Sequence, residues 1–227
     1  MNRLYPVFVK LSGKPCLVVG GGEIAARKVR QLLECHAQVT VISPDTSLDM
    51  QKIIDKNKIF YRAKVFQHKD TEGFFLVIAA TNERLVNKLV SEECEEKGIL
   101  CNIVDEPDQC NFFVPAVVRQ GDLKIAISTN GKSPTLAKRI RKELEQNYTK
   151  EYTLFIRYLG FLRLFLKRQY PDAIDQKKQL LEKVIESNAL EMLKCKDKKG
   201  FKEEINRVFE SFSFKLLTAE AQSQGVQ

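Results

Sequence analysis

Between Lys14 and Val104 the chain alternates short apolar, β-branched runs with amphipathic stretches. The apolar runs are CLVV at 16–19, QVTVI at 38–42, IFYRAKV at 59–65, FFLVIAA at 74–80 and ILCNIV at 99–104. Strand and helix in regular alternation predict a parallel sheet with crossover helices. Between the first two runs, Ile24, Ala25, Lys28, Val29, Leu32 and Leu33 recur at helical spacing, so their apolar members share one face and complete a βαβ unit. Beyond 104 the period changes. Residues 112–118 and 123–128 read as two strands joined by a turn at 119–122, and Pro115 makes the first of them an edge strand or a bulge. Ser133-Pro134 supplies a capping hydroxyl and a proline at the first helical position. Leu136, Ala137, Ile140 and Leu144 then follow at helical spacing. From Tyr152 onward only helix is expected: one helix through Phe155, Leu159, Leu162 and Phe165 that ends before Pro171, a second through Ile174, Leu181, Val184 and Ile185, and a third through Ile205, Val208, Phe209 and Phe212. Residues 218–227 read as a frayed tail.

Composition narrows the class without choosing a function. At 227 residues, 44% hydrophobic and 29% charged, the chain is globular and large enough to bury a core without staples. Six cysteines without a C-x-x-C pair and only two histidines, His36 and His68, argue against a structural metal and against a disulfide scaffold. The opening MNRLYPVFVKLSGK has no apolar stretch of signal-peptide length, and no later run reaches the ~20 residues of a membrane span, so a cytoplasmic protein with no membrane partner is expected. The formal charge of +8 favours anionic partners. No nucleic-acid motif accompanies it, and no nucleic-acid partner is expected.

The strongest local signal is Gly20-Gly21-Gly22-Glu23-Ile24-Ala25, a G-x-G-x-x-A pattern placed directly after a strand and before a helix. Gly20 permits the tight turn, Gly22 lets main-chain N–H groups approach a pyrophosphate at the helix N-terminus, and Ala25 keeps helix and strand close. The ribose reader expected ~20 residues on falls near Ser43, with Asp45 two residues later. No arginine or lysine lies within 42–49 to meet a 2′-phosphate, which favours NAD over NADP. Thr81 and Asn82 follow the fourth strand and should line the same crevice. Gly131-Lys132-Ser133 imitates the end of a P-loop, but Ala126 stands where its first glycine is required and Pro134 follows, so a turn and helix cap is the better reading.

Asp105, directly after the fifth strand, is placed either to accept a proton as a hydride leaves a substrate or to cap a turn before Pro107. Glu106 and Asp108 read as solvated, and Asn111 as a residue that either orients a ligand or closes the loop. Lys138, Arg139, Arg141 and Lys142 form a basic helix face, a solvated surface or a rim for an acidic substrate. His36 and His68 read as surface residues, and Cys16 and Cys101 as core.

Taken together, YPVFVKLSGKPCLVVGGGEIAARKVRQLL, VTVISPD, IAATNE, NIVDEPDQCNFFVPAVV and IAISTNGKSPTLAKRIRKELE resemble the precorrin-2 dehydrogenase and sirohydrochlorin ferrochelatase family, the dehydrogenase module of sirohaem synthase. The likeness covers residues 1–150 strongly and the helical remainder loosely. It implies an α/β fold with an N-terminal Rossmann-type parallel sheet over 1–112, a small mixed αβ dimerisation segment over 113–148 and a C-terminal helical domain over 149–217 that helps cover a tetrapyrrole. It implies NAD-dependent oxidation of precorrin-2, with ferrous iron as a second substrate in members that go on to make sirohaem, and a homodimer. Glu23, Ile24, Pro44 and Asp45 match positions that contact NAD, and Asp105 matches the acid/base residue. Asn111, Lys138 and Arg141 are the residues expected to meet the substrate, and no protein-held metal is expected. The family's usual glycine after the first helix is replaced by Cys35-His36. No methyltransferase module follows, so precorrin-2 is expected to come from another protein. A dinucleotide-sensing module that binds the coenzyme without catalysis is the alternative, and it would be indifferent to loss of Asp105.

Overall fold

The computed structural model describes residues 4–57 and 59–212. The tail at 218–227 lies outside them. The chain divides into two compact units, Met1–Val114 and Pro115–Gln227.

The first unit is an all-parallel sheet in the order β3-β2-β1-β4-β5, formed by β1 (Pro15–Val19), β2 (Gln38–Ile42), β3 (Phe60–Arg62), β4 (Leu76–Ala79) and β5 (Leu100–Ile103). The helices α1 (Glu23–Leu33), α2 (Leu48–Asn57) and α3 (Arg84–Glu96) make the crossovers. As the central strand of a parallel sheet, β1 must be apolar on both faces. Its alternate residues accordingly enter separate cores: Cys16 and Val18 join Ala25, Ala26, Val29 and Leu32 of α1, while Leu17 and Val19 join Val90 and Cys94 of α3. Cys16 and Cys101 are buried, as small core residues should be. Ile24 departs from the predicted apolar face and is 43% exposed, because it sits in the first turn of α1, at the strand tips rather than over the sheet. At the other end of α1 the expected glycine conformation is present without the glycine: His36 adopts φ 56° and its carbonyl accepts from Gly13 N–H at 2.9 Å. For an L-residue that backbone costs roughly 1 kcal/mol.

Beyond β5 the chain departs from the predicted strand at 112–118. Residues 111 and 112 instead run back against β5, their N–H groups reaching the Cys101 carbonyl at 3.1 and 3.4 Å, and β6 starts only at Ala116. Pro115 therefore precedes the strand, where its missing N–H costs nothing. In the second unit β6 (Ala116–Gln120) pairs antiparallel with β7 (Leu123–Ile127), and the register Gln120↔Leu123 shortens the turn to Gly121-Asp122, with Gly121 at φ 58°. Helix α4 (Pro134–Asn147) begins as predicted, with Ser133 Oγ accepting from Leu136 N–H at 3.2 Å. α5 (Glu151–Gln169), α6 (Ile174–Glu186), α7 (Ala189–Lys194) and α8 (Lys198–Glu210) enclose a core of Phe155, Tyr158, Leu162, Leu166, Leu180, Val184, Phe201, Ile205 and Phe209. α7 lies between the helices that the sequence marks individually; its six residues are too few to show a helical period of their own.

Candidate functional site

The strand order reverses between β1 and β4, so the crevice for a ligand lies at the carboxyl ends of these two strands. The three glycines of the turn divide the work there. Gly20 has φ 120°, and a Cβ on it would stand 2.4 Å from the Ala80 carbonyl oxygen, so only glycine lets the turn pass β4. A Cβ on Gly21 would stand 1.9 Å from the Asp45 carbonyl oxygen. Gly22 meets nothing within 4 Å: its missing side chain leaves open space at the start of α1, which no side chain caps. The N–H groups of the first turn lack intrahelical partners there and carry the positive end of the helix dipole. An open cradle of main-chain donors fits the diphosphate of a dinucleotide. Glu23 and Ile24, in that turn, are exposed beside it.

The loop after β2 is stitched to this turn, with Ser47 N–H donating to the Gly21 carbonyl at 2.8 Å. Ser43 is buried, and its hydroxyl donates to the Asp45 carbonyl at 2.6 Å. It therefore shapes the loop, and the hydroxyl predicted to read a ribose is already engaged. Pro44 and Asp45 are exposed. After β4, Thr81 Oγ1 accepts from Glu83 N–H at 3.1 Å and donates to Asn87 Oδ1 at 2.9 Å, so its polar atoms are also committed to the loop; Asn82 is exposed.

Asp105 is exposed in the turn after β5 at φ 63°, a left-handed conformation that among L-residues is commonest for Asn and Asp. Its neighbours hold this backbone from several sides. Cys110 Sγ accepts from Ile103 N–H at 3.2 Å and lies 3.3 Å from the carbonyl oxygens of Ile103 and Glu106. Asn111 Oδ1 accepts from Cys101 N–H at 2.7 Å and its amide donates to the Ile99 carbonyl at 2.8 Å, so of its two sequence readings the structure displays loop closure. Glu106, expected to be solvated, is half-buried and accepts from Asn87 Nδ2 at 3.3 Å and from Gln109 Nε2. Lys28, half-buried on α1, faces this loop. Burial and the neighbouring Arg27 push its ammonium down from the usual lysine range, while Asp105 and Cys110 pull it back up.

Lys138 and Arg141 lie on α4 of the second unit. Lys138 is exposed, whereas Arg141 is ion-paired with Glu145 and Arg139 with Glu143, so part of the basic face is internally compensated. The Asn130-Gly131 turn, at φ 52° and 76°, followed by the Ser133 cap, accounts for the P-loop-like residues. His68 is an exposed loop residue whose Nδ1 lies 3.6 Å from the buried carboxylate of Glu93. Among the described residues no cluster of His, Cys, Asp and Glu could hold a metal ion, and no helix is long and apolar enough to cross a membrane.

Comparison with known proteins places these features in a family. Residues 7–116 match the family model described as NAD(P)-binding, and residues 120–147 match the model for the central part of sirohaem biosynthesis proteins. The solved structure of SirC, a precorrin-2 dehydrogenase, superposes with a TM-score of 0.73 at 31% identity, over 90% of this chain and 100% of that one. The chain belongs to the precorrin-2 dehydrogenase family. Siroheme synthases of Methylococcus capsulatus and Ruthia magnifica are 37% and 39% identical over 187 and 177 residues, which is 82% and 78% of this chain. The chain spans only 39% and 37% of the length of those relatives. Within this precorrin-2 dehydrogenase family chain, the NAD(P)-binding match contains the glycine turn, both crevice loops and Asp105, while the central match contains Lys138 and Arg141.

The sequence reading gave Lys28 no part in the site, took Glu106 as solvated and did not single out Asn87. Lys28 left a trace, as a charge among the buried positions Ala25, Val29 and Leu32 of an otherwise apolar helix face. Asn87 and Glu106 left none, because the bond that joins them spans nineteen residues of sequence.

Proposed function

We propose that this chain oxidises precorrin-2 to sirohydrochlorin with NAD+. The observation that carries the reading is the open, uncapped cradle at Gly22, in a family fold that also sets an exposed acid, Asp105, at the tip of β5. The main-chain donors of the first α1 turn hold the diphosphate, and the Asp45 carboxylate accepts from the adenosine ribose. With no Arg or Lys within 42–49, and with Arg30 already paired to Asp49, this loop offers a 2′-phosphate no cation; NAD is preferred to NADP. When bound, NAD+ supplies the hydride acceptor. Two electrons leave the macrocycle as one hydride, which must be accompanied by loss of one proton, and Asp105 Oδ takes it. Lys138 and Arg141 are assigned to substrate carboxylates, in a homodimer built through 113–148 in the cytoplasm. The same carboxylate serves ferrous iron insertion, where the macrocycle nitrogens release protons and iron is a substrate.

The test is an absorbance assay with precorrin-2 and NAD+, followed by ferrous iron. Sirohydrochlorin should appear only with NAD+, and iron should then give sirohaem faster than the spontaneous rate. Asp105→Ala should retain NAD+ binding and lose turnover. A protein that binds NAD+ but never oxidises precorrin-2, and is unchanged by Asp105→Ala, is a sensor, and the reading is then wrong.

A further inference from the structure

Asn87 is 3% exposed on the face of α3 that also buries Val90 and Cys94, a position where an apolar side chain would be the ordinary choice. Burying an amide is costly unless its hydrogen bonds are met. Here they are met entirely by two loops. Asn87 Oδ1 accepts from Thr81 Oγ1 at 2.9 Å, and Nδ2 donates both to the Thr81 carbonyl at 3.2 Å and to Glu106 Oε1 at 3.3 Å. One turn further along α3, Ser91 Oγ donates to the Gln109 carbonyl at 2.9 Å, and Gln109 Nε2 returns to the other oxygen of Glu106. Helix α3 therefore grips the β5 loop at two rungs, and the upper rung is shared with the loop after β4.

These two loops carry Asn82 and Asp105. A hydrogen bond at 3.3 Å weakens steeply with small displacements, so a shift of the Thr81 segment is felt by the Asn87 amide and through it by Glu106. Glu106 is the residue directly after Asp105, whose left-handed backbone fixes where the carboxylate stands. We infer that Asn87, acting through Glu106, couples coenzyme occupancy at the β4 loop to the setting of Asp105, and that both are positioning residues for the dehydrogenation. The inference rests on the reading that NAD+ occupies the β1/β4 crevice and that Asp105 accepts the proton. Coupling of this kind is reciprocal: substrate engagement at Asp105 must tighten NAD+ by the same factor.

Amide hydrogen exchange on the full chain, with and without NAD+, separates the possibilities. In the native protein NAD+ should slow exchange in 20–26 and also in 103–112. In Glu106→Ala the first response should remain and the second disappear. Turnover should fall by on the order of tenfold to a hundredfold, while the dissociation constant for NAD+ changes less than about twofold. Glu106→Gln keeps an acceptor toward Asn87; its new amide faces Gln109, whose side-chain amide turns over so that Oε1 accepts in place of the lost Nε2 donation, and the variant should restore most of the rate. Asn87→Ala is the second variant; if it folds it should reproduce Glu106→Ala. Protection of 20–26 alone in the native chain overturns the coupling and leaves the coenzyme reading standing. Protection of neither segment overturns both. Native turnover in Glu106→Ala also overturns the coupling.

Discussion

The neighbouring glycines Gly21 and Gly22 should respond in opposite ways to the same added methyl group. Gly22 sits at φ −78°, ψ −178°, a conformation any residue adopts, and its Cβ would meet nothing within 4 Å. Replacing a helix-capping glycine by alanine costs about 0.5–1 kcal/mol of stability, or a few degrees in Tm. The methyl would instead stand where the diphosphate of NAD+ approaches the backbone. Overfilling a close-fitting contact costs about 1–3 kcal/mol, which corresponds to a roughly 5- to 150-fold rise in Kd for NAD+. Gly21→Ala drives its Cβ to 1.9 Å from the Asp45 carbonyl oxygen, a backbone atom on a loop tied back by Ser47 N–H. That substitution must displace the β2 loop and should lower Tm by considerably more than Gly22→Ala does. Titration calorimetry with NAD+ and thermal melts of both variants provide the comparison. Native NAD+ affinity in Gly22→Ala would refute the assignment of the cradle, and a Gly21→Ala protein as stable as the native one would refute the packing argument.

Lys28→Met removes an ammonium beside Asp105 and should raise KM for the polyanionic substrate several-fold in steady-state kinetics while sparing NAD+ affinity; Lys28→Arg should retain most of the activity. An equal loss in both variants would show that Lys28 serves packing rather than charge. Burial pushes the Cys16 thiol up to about 11, so it should resist alkylation at pH 8 while exposed Cys195 reacts, as peptide mass mapping can show. A thiol with a raised folded value stabilises the fold below its unfolded value of about 8.5. That contribution should be lost between there and about 11, visible as a falling Tm that Cys16→Ala, already destabilised at neutral pH, does not repeat. Burial raises the carboxyl of Glu93, but Lys97, Lys69 N–H and Thr71 outweigh it and hold it below the usual carboxylate range. Its contribution is present above the unfolded value of about 4.3 and lost as pH falls through the lower folded one. Glu93→Gln should therefore flatten the acid limb of stability against pH; an unchanged limb would show that other carboxylates govern it.

The parallel sheet was legible because β1, β2, β4 and β5 are buried on both faces and read as continuous apolar runs bounded by turn residues. The glycine turn was legible because its chemistry is local. Strand ends were less so. Phe112 and Phe113 look like strand, but the N–H groups of Asn111 and Phe112 reach the Cys101 carbonyl instead, and a choice between partners made over ten residues does not show in composition. At the site the structure adds, for Ser43, Thr81 and Asn111, hydrogen bonds that sequence position does not show. Ser43 bonds its own loop's backbone, Thr81 the side chain of Asn87 on α3, and Asn111 the backbone of Ile99 and Cys101 at β5. Sequence position can bring a hydroxyl or an amide near a ligand, but only the fold shows whether its lone pairs and protons are free.

The left-handed backbone at position 105 also limits the ways in which a lineage can discard the acid. Bulky or β-branched replacements would strain the loop, whereas asparagine and glycine enter it without disturbing the surrounding bonds. On the role proposed for Asp105, such a replacement would remove the proton acceptor while leaving the glycine turn and the loop intact, so the loss would be chemical rather than structural.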